Sequence, residues 1–307
     1  MQSIRSLLRL GEAFLVEHGV PNSRRNAEWI LSHTLGCGAL DLYVHSRGTP
    51  PRGAAEAFWE RIRRRARREP LQYILGETEF MSLPFAIEKG VFVPRPDTEV
   101  LVEWSERKLR EEPLDEPLCV LDLCCGSGII AVSLAHRIPN LTAVAVDLSA
   151  SAVGLTRANA ARNGVQERVV ALEAAALDYL DLDRQFPAWL RPRRFAAVVC
   201  NPPYVETKAL EDLAPEIRDH EPVLALDGGP DGLNFYRSVT PAIPRWLKPG
   251  GMAAFEIADT HAQAVGSLMS AAGFLAIETT RDYTGRDRVI SGIAPGRSSR
   301  LPRSPDR

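Results

Sequence analysis

The sequence predicts an α/β fold built on a mostly parallel sheet, preceded by a small all-helical domain and a short hairpin connector. Three observations carry this expectation. From residue 118 onward, short apolar strand-like runs alternate with helical stretches, the pattern of a parallel sheet covered on both faces. Before residue 70 the apolar residues recur at helical spacing. Between 71 and 94 the pattern changes to short alternating runs bounded by turn residues. At 307 residues the chain is long enough to hold more than one domain, each with its own core.

Taken in order, Ile4, Leu7, Leu8, Ala13, Phe14 and Leu15 form one apolar helix face. Arg5, Arg9 and Glu12 interrupt that segment, so it reads as an amphipathic helix and not as a signal peptide. Pro21-Asn22-Ser23 offers a turn and a cap before a helix carrying Ala27, Trp29, Ile30 and Leu31, which Gly36 and Gly38 end. A further helix begins after Pro50-Pro51 and runs through Phe58, Trp59 and Ile62 into six arginines between Arg61 and Arg68. Residues 1–70 hold twelve Arg against seven acidic residues. The arginine run reads as a solvated helix face, with a docking surface for an acidic partner as the alternative. Residues 1–70 are therefore expected to form an all-helical domain.

Residues 71–95 form the connector, with Phe80-Met81, Leu83 to Ile87 and Val91 to Val93 as its extended pieces and Glu88-Lys89-Gly90 as a turn. Arg95-Pro96-Asp97-Thr98-Glu99 follows, with Asp97 or Thr98 expected to cap a helix through Val100, Leu101, Val102 and Trp104. The α/β domain is expected over 96–294. Its strands are Cys119 to Leu123, Leu141 to Val146, Val169 to Leu172, Phe195 to Cys200 and Met252 to Ile257. Helices are expected from Ile129 to His136 and from Ser149 to Asn163, and Phe274 to Glu278 with Val289 to Ile293 should close one edge as an antiparallel pair. Residues 295–307, rich in Arg, Ser and Pro, read as a disordered tail.

The net charge of −2 argues against a general polyanion binder. The five cysteines include no Cys-x-x-Cys pair and no His at metal-ligand spacing, so reduced thiols and no metal site are expected. No apolar run approaches the roughly 18 residues of a membrane span. These features predict a cytoplasmic protein.

The first α/β strand opens into Asp122-Leu123-Cys124-Cys125-Gly126-Ser127-Gly128 and directly into a helix. Glycines there let the backbone approach a ligand, and a helix N-terminus offers free N–H groups. Nineteen residues after Gly128, at the end of the second strand, stands Asp147, placed to accept the hydroxyl hydrogens of a ribose. Loop and acid together imply a nucleoside-containing cofactor. Gly126-Ser127-Gly128-Ile129-Ile130-Ala131 also satisfies the dinucleotide fingerprint. The loop alone therefore leaves a nicotinamide oxidoreductase, an S-adenosylmethionine enzyme and a structural glycine turn open.

Asn201-Pro202-Pro203-Tyr204 ends the fourth strand and lies on the same carboxyl edge of the sheet. Its two prolines stop any helix and remove two backbone donors, which leaves the Asn201 and Pro202 carbonyls free. Read alone, the tetrapeptide is most simply the end of a strand. Beside a nucleoside-binding loop it becomes a receptor for a planar NH2 group, with the Asn201 side-chain oxygen and the Pro202 carbonyl as acceptors and the Tyr204 ring stacked on the guest. Methyl transfer to nitrogen needs such a receptor, whereas hydride transfer has no evident need for one. No general base is required, because the nitrogen proton becomes acidic once the nitrogen is methylated. Cys200, Cys124 and Cys125 read as packing residues and not as nucleophiles.

With these residues assembled, the chain resembles the N5-glutamine methyltransferases that modify peptide-chain release factors. The likeness runs from the helical domain through Leu71-Gln72-Tyr73-Ile74-Leu75-Gly76, Glu79-Phe80 and Val93-Pro94-Arg95-Pro96-Asp97-Thr98-Glu99 to Arg288-Val289. It implies a seven-stranded, mostly parallel Rossmann-like class I methyltransferase sheet with S-adenosyl-L-methionine as cofactor. The implied protein substrate is a peptide-chain release factor, modified on the glutamine of its Gly-Gly-Gln motif, with residues 1–70 as the substrate-docking domain. The family's cofactor loop falls on Cys124, Cys125, Gly126, Ser127 and Gly128, its ribose acid on Asp147, and its glutamine receptor on Asn201, Pro202, Pro203 and Tyr204. Asn201 also borders the cofactor.

Asn-Pro-Pro-Tyr is shared with adenine-N6 DNA methyltransferases, but a target-recognition domain is missing. The relatives that methylate a ribosomal protein generally differ at Arg-Pro-Asp-Thr-Glu. Beyond these, a nicotinamide oxidoreductase and a catalytically silent binding module are the alternatives from other classes. The chain departs from the family pattern where Cys124-Cys125 replace Gly-Thr in the loop. It departs again at Glu173-Ala174-Ala175-Ala176-Leu177, where Ala175 and Ala176 stand at the usual acidic and aromatic adenine contacts and Glu173 is the candidate substitute.

Overall fold

The computed structural model describes residues 3–112, 117–175 and 194–296. The expected tail beyond residue 296 lies outside the described residues, as does Ala176. The chain forms two compact units: Met1–Thr78 with Ile87–Lys89 and Leu213–His220, and Glu79–Ala86 with Gly90–Asp212 and Glu221–Arg307.

The first unit is helical, with α1 (Ile4–Glu17), α2 (Ser23–Leu35), α3 (Ala39–Val44), α4 (Ala54–Ala66) and α5 (Leu71–Leu75). Leu7, Leu15, Ile30, Leu31, Leu42, Phe58 and Ile62 are fully or almost fully buried and make its core. α2 ends where Gly36 turns left-handed, at φ 63°, the geometry that glycine adopts at least cost. The arginine run is not a uniformly solvated face. Arg65 is buried and, with Arg68, grips Glu216 of the Leu213–His220 segment, at 2.7 and 2.6 Å. Arg64 pairs with Glu69 at 2.6 Å, and Arg61 donates to the Thr34 hydroxyl at 2.7 Å. Arg63 and Arg67 are the members of the run left exposed. Burial raises the Glu216 carboxyl, but the hydrogen bonds from Arg68 and Arg65 outweigh it and hold the group down to about 2.

The hairpin pairs β1 (Glu77–Phe80) with β2 (Leu83–Ala86). Met81 and Ser82 make the turn, both at positive φ, 52° and 63°, as a tight two-residue hairpin loop demands. The expected hairpin is thus present, but its extended pieces differ from those the apolar pattern suggests. Leu71–Leu75 is a helix ended by a left-handed Gly76, so the strand begins earlier than its apolar pattern suggests. Val91 and Val93 are buried without joining a strand, and the Val93 N–H donates to the Glu221 carboxylate at 3.3 Å.

In the second unit, α6 (Thr98–Leu109) precedes β3 (Leu118–Leu123), α7 (Ile129–Arg137), β4 (Leu141–Asp147), α8 (Ala150–Arg162), β5 (Val169–Glu173) and β6 (Phe195–Cys200). After α9 (Pro215–Arg218), which belongs to the helical unit, come α10 (Asn234–Val239), β7 (Leu247–Glu256), α11 (Ala262–Ala271), β8 (Leu275–Arg281) and β9 (Asp287–Ile293). The seven-stranded sheet runs β5-β4-β3-β6-β7-β9-β8, parallel except that β9 is antiparallel to both β7 and β8. β3 and β6 are buried at every position, which is why they read as apolar runs interrupted only by Asp122. Alternate residues face two cores: Val120, Ala143 and Val199 one, Leu121, Val144 and Cys200 the other. Among the described residues no helix is long and apolar enough to cross a membrane.

Candidate active site

The strand order reverses between β3 and β6, the switch point at which open α/β sheets leave a crevice beyond their carboxyl ends. Leu123 lies opposite Cys200, and also opposite Val146. The loop 124–128, Asp147 and the turn 201–204 therefore leave three adjacent strands at one level.

Within the loop, Cys124 sits at φ 57°, a left-handed conformation costly for a residue with a Cβ. Gly126 and Gly128 are also left-handed, at 55° and 80°. At Gly126 no heavy atom lies within 4 Å of where a Cβ would stand, so the backbone has a bare face. At Gly128 a Cβ would come within 2.8 Å of the Thr156 methyl carbon, so close packing requires glycine there. The Thr156 hydroxyl donates to the Gly126 carbonyl at 3.0 Å and lies 3.4 Å from Cys125 Sγ. A threonine on α8 thus supplies the loop with a hydroxyl that Cys125 does not offer. Ser127 is buried, and its carbonyl accepts from the Asn159 side chain at 2.9 Å.

Asp147 accepts the Gly126 N–H on Oδ2 and the Ser149 N–H on Oδ1, each at 2.9 Å. Each carboxylate oxygen keeps a further lone pair. Asp122 is fully buried: Oδ2 accepts the Ala131 N–H at 3.0 Å, Oδ1 has no partner, and burial pushes the carboxyl up to about 8. Glu173, opposite Asp147 in the ladder, is exposed at the end of β5. A bare loop backbone with a carboxylate on the neighbouring strand end fits an adenosine cofactor.

On the other side of β3, Asn201 Nδ2 donates to Thr98 Oγ1 at 3.1 Å. Pro202 is buried, Pro203 half-buried, and the Tyr204 hydroxyl donates to Glu256 Oε1 at 3.2 Å. Thr98 opens α6 and Glu256 ends β7; both are fully buried. The Tyr204–Val205 backbone is braced by a glycine loop that sequence reasoning did not single out, although Gly228-Gly229-Pro230-Asp231-Gly232 is a visible signal. The Gly228 N–H donates to the Val205 carbonyl at 2.8 Å, and a Cβ on Gly228 would stand 2.8 Å from Tyr204 Cα.

The Arg-Pro-Asp-Thr-Glu segment surrounds this turn in a way the sequence did not predict. Neither Asp97 nor Thr98 caps α6. The Asp97 carboxylate meets Arg288 at 3.1 Å, and the Thr98 hydroxyl is taken by Asn201. Arg95 donates to Glu221 and to the Val93 carbonyl, and lies 4.7 Å over the Phe92 ring. Glu99 accepts the Met81 N–H at 2.9 Å.

Burial drives the Glu256 carboxyl up to about 7, against the pull of the Thr98 hydroxyl, Arg288 and Tyr204. Burial likewise raises the Tyr204 hydroxyl. Cys200 is fully buried beside Cys124, and burial raises its thiol well above the ordinary value, as it does that of Cys125. Neither is an available thiolate. Among the described residues no group of three or more His, Cys, Asp or Glu could hold a metal ion.

Residues 6–76 match the PrmC N-terminal domain, and residues 97–220 match the methyltransferase small domain. Over 291 residues the chain is 42% identical to the release factor glutamine methyltransferase of Geobacter sulfurreducens, covering 94% of this chain and 96% of that one. The protein of the same description from Moorella thermoacetica is 40% identical over 284 residues, covering 92% and 95%. That from Chlorobaculum tepidum is 35% identical over 294 residues, covering 95% and 97%. The chain belongs to the release factor glutamine methyltransferase family.

Proposed function

We propose that this protein uses S-adenosyl-L-methionine to methylate the side-chain amide nitrogen of a glutamine in a peptide-chain release factor, the glutamine being that of the Gly-Gly-Gln motif. The relatives above carry the name of that activity. The observation that carries the reading within this chain is that Asn201 and the loop 124–128 leave adjacent strands at one register level. When bound, S-adenosylmethionine supplies an electrophilic sulfonium methyl group. Gly126, Gly128 and the neighbouring loop backbone would cradle it, with Asp147 on the ribose and Asn201 at its border.

The chain's own work is to position a poor nucleophile. An amide nitrogen has a delocalised lone pair, so its orientation decides whether it reacts. Asn201 Oδ1 and the Pro202 carbonyl accept the two amide hydrogens and aim the lone pair at the methyl donor. Pro203 stiffens the turn, and the Tyr204 ring covers the planar amide and excludes water. Positioning of this kind is worth roughly 7–11 kcal/mol in favourable cases. No residue has to remove the proton beforehand, because methylation itself makes it acidic.

The test incubates the protein with labelled cofactor and, separately, release factor, ribosomal protein and DNA, then maps the modified residue. Label on the release factor glutamine, lost in Asn201→Ala, is the expected result. Label on another macromolecule, or full activity in Asn201→Ala, would refute the reading.

A further inference from the structure

We propose that Thr156 and Asn159, one turn apart on α8, are positioning residues of the cofactor loop. They hold the Gly126 and Ser127 carbonyls so that the Ser127 N–H is presented to the cofactor, and Asn159 ties that arrangement to the end of β2. The proposal rests on the cofactor placement given above and adds to it two fully buried residues that act through the loop.

A loop of backbone amides binds well only when its peptide planes are fixed beforehand, since each plane decides where an N–H points. Thr156 and Asn159 stand at i and i+3 of α8 and so lie on one face of it. The Thr156 hydroxyl donates to the Gly126 carbonyl at 3.0 Å, and Asn159 Nδ2 donates to the Ser127 carbonyl at 2.9 Å. In a trans peptide the C=O and the following N–H point in opposite directions. With the Gly126 carbonyl turned toward α8, the Ser127 N–H is turned away from it. Three neighbouring amides are already engaged: Cys125 with the Val146 carbonyl at 3.1 Å, Gly126 with Asp147, and Gly128 with the Cys125 carbonyl at 2.8 Å. No acceptor among the described residues takes the Ser127 N–H.

The loop needs this outside support because of its own sequence. Cys124 holds a left-handed φ of 57°, and Cys125 has no hydroxyl to brace a neighbouring carbonyl. Burial keeps the Cys125 thiol protonated, 3.4 Å from Thr156 Oγ1, so it can donate to the hydroxyl whose own hydrogen goes to Gly126. Thr156 has a second, separable part in the loop: its methyl occupies the space that a Cβ at Gly128 would need.

Asn159 reaches further. Its Oδ1 accepts the Ala86 N–H at 2.7 Å, and its Nδ2 also donates to the Ala86 carbonyl at 3.1 Å. An N–H can only donate, so Ala86 fixes which end of the amide is oxygen and leaves the NH2 for Ser127. One side chain thus clips β2 as a neighbouring strand would and holds the cofactor loop with the same group. Ordering either end favours the other, and the coupling is reciprocal.

The test uses S-adenosylhomocysteine as the probe. Thr156→Val keeps the methyl against Gly128 and removes only the hydroxyl. It should weaken S-adenosylhomocysteine about 3- to 10-fold in calorimetry, raise KM for S-adenosylmethionine by a similar factor and leave kcat at saturating cofactor near the wild-type value. Thr156→Ser should restore the affinity. A role in packing alone predicts the reverse, wild-type affinity in Thr156→Val and a loss in Thr156→Ser. In 15N-labelled wild-type protein, saturating S-adenosylhomocysteine should slow hydrogen exchange at both the Ser127 and the Ala86 N–H. Wild-type affinity in Thr156→Val, failure of Thr156→Ser to rescue, or unchanged exchange at Ser127 would overturn the loop assignment. Unchanged exchange at Ala86 would overturn the tie to β2. Binding of S-adenosylhomocysteine without methyl transfer to glutamine would refute the proposed function while these measurements still decided the present one, and no binding at all would overturn both.

Discussion

The Asp97 carboxylate lies 3.1 Å from the Arg288 guanidinium, joining the residue before α6 to β9 across 191 positions of sequence. Arg288 also meets Asp282 at 3.2 Å and donates to the Ile257 carbonyl at 3.3 Å. Its side chain is 10% exposed, that of Asp282 4%, and that of Asp97 49%. The three partners are therefore unequal. Arg288→Ala leaves the Ile257 carbonyl and Asp282 Oδ2 without this donor, while Thr284 and Arg286 still hold Asp282 Oδ1, and should lower stability in urea denaturation by more than Asp97→Asn does. Asp97→Asn removes only the half-exposed partner and should cost less than about 1 kcal/mol. Equal costs would show that the Asp97 pair accounts for all that Arg288 contributes.

The arginine run should divide in the same manner. Arg65→Ala takes one of two guanidiniums from Glu216, leaving Arg68 in place, and removes the donor to Asn26 Oδ1, so it should destabilise the helical unit by about 1–2 kcal/mol, whereas Arg63→Ala and Arg67→Ala, on exposed side chains, should stay within about 0.5 kcal/mol. The sign with pH follows from a depressed carboxyl, about 2 in the folded protein against 4.5 as the ordinary value. Its contribution is complete above 4.5 and disappears as pH falls toward 2. Melting temperatures of the wild type and Glu216→Gln should differ above pH 5 and converge through that window.

Glu256 should behave in the opposite sense. Its carboxyl is raised from 4.5 to about 7, so the folded state binds the proton more tightly and stability falls as pH rises between those values. Taken as a single group, that shift corresponds to about 3 kcal/mol. Glu256→Gln should therefore melt higher than the wild type at pH 8 and no higher at pH 4. A stabilised variant with impaired methyl transfer would mark Glu256 as a residue kept for function against stability.

Cys124 supplies a test of the cofactor loop. At φ 57° its side chain holds the backbone where glycine rests freely. Cys124→Gly relieves about 1–2 kcal/mol of left-handed strain, offset in part by a more flexible unfolded chain. It should leave stability unchanged or raised by up to about 1 kcal/mol. Cys124→Val, with a β-branched side chain at the same φ, should lower it by more than about 1 kcal/mol. Thermal melts of the two variants decide between a strained loop and one that tolerates any side chain.

Much of the architecture was legible because burial on both faces leaves a direct mark on a chain. β3 and β6 are apolar but for Asp122 since each touches two cores, and Gly126, Gly128 and Asp147 stand at strand ends where a parallel sheet exposes its carboxyl edge. The hairpin was less legible. Its turn uses Met81 and Ser82 at positive φ in place of the glycine or asparagine that announces such turns.

The chain by itself thus determined the fold class, the edge of the sheet that carries the site, and the residues at that edge, because these follow from local periodicity and turn chemistry. Only the tertiary structure decided what those residues rest on. Thr98 reads as a helix cap and Glu256 as an ordinary acid at a strand end, while Arg65 reads as one of six surface charges. Folding brings Thr98 against Asn201 from 103 positions away, Glu256 against Tyr204 from 52, and Arg65 against Glu216 from 151. A hydrogen bond or an ion pair between residues so far apart leaves no period in the sequence. Its energy depends on burial and distance, which exist only once the elements have packed.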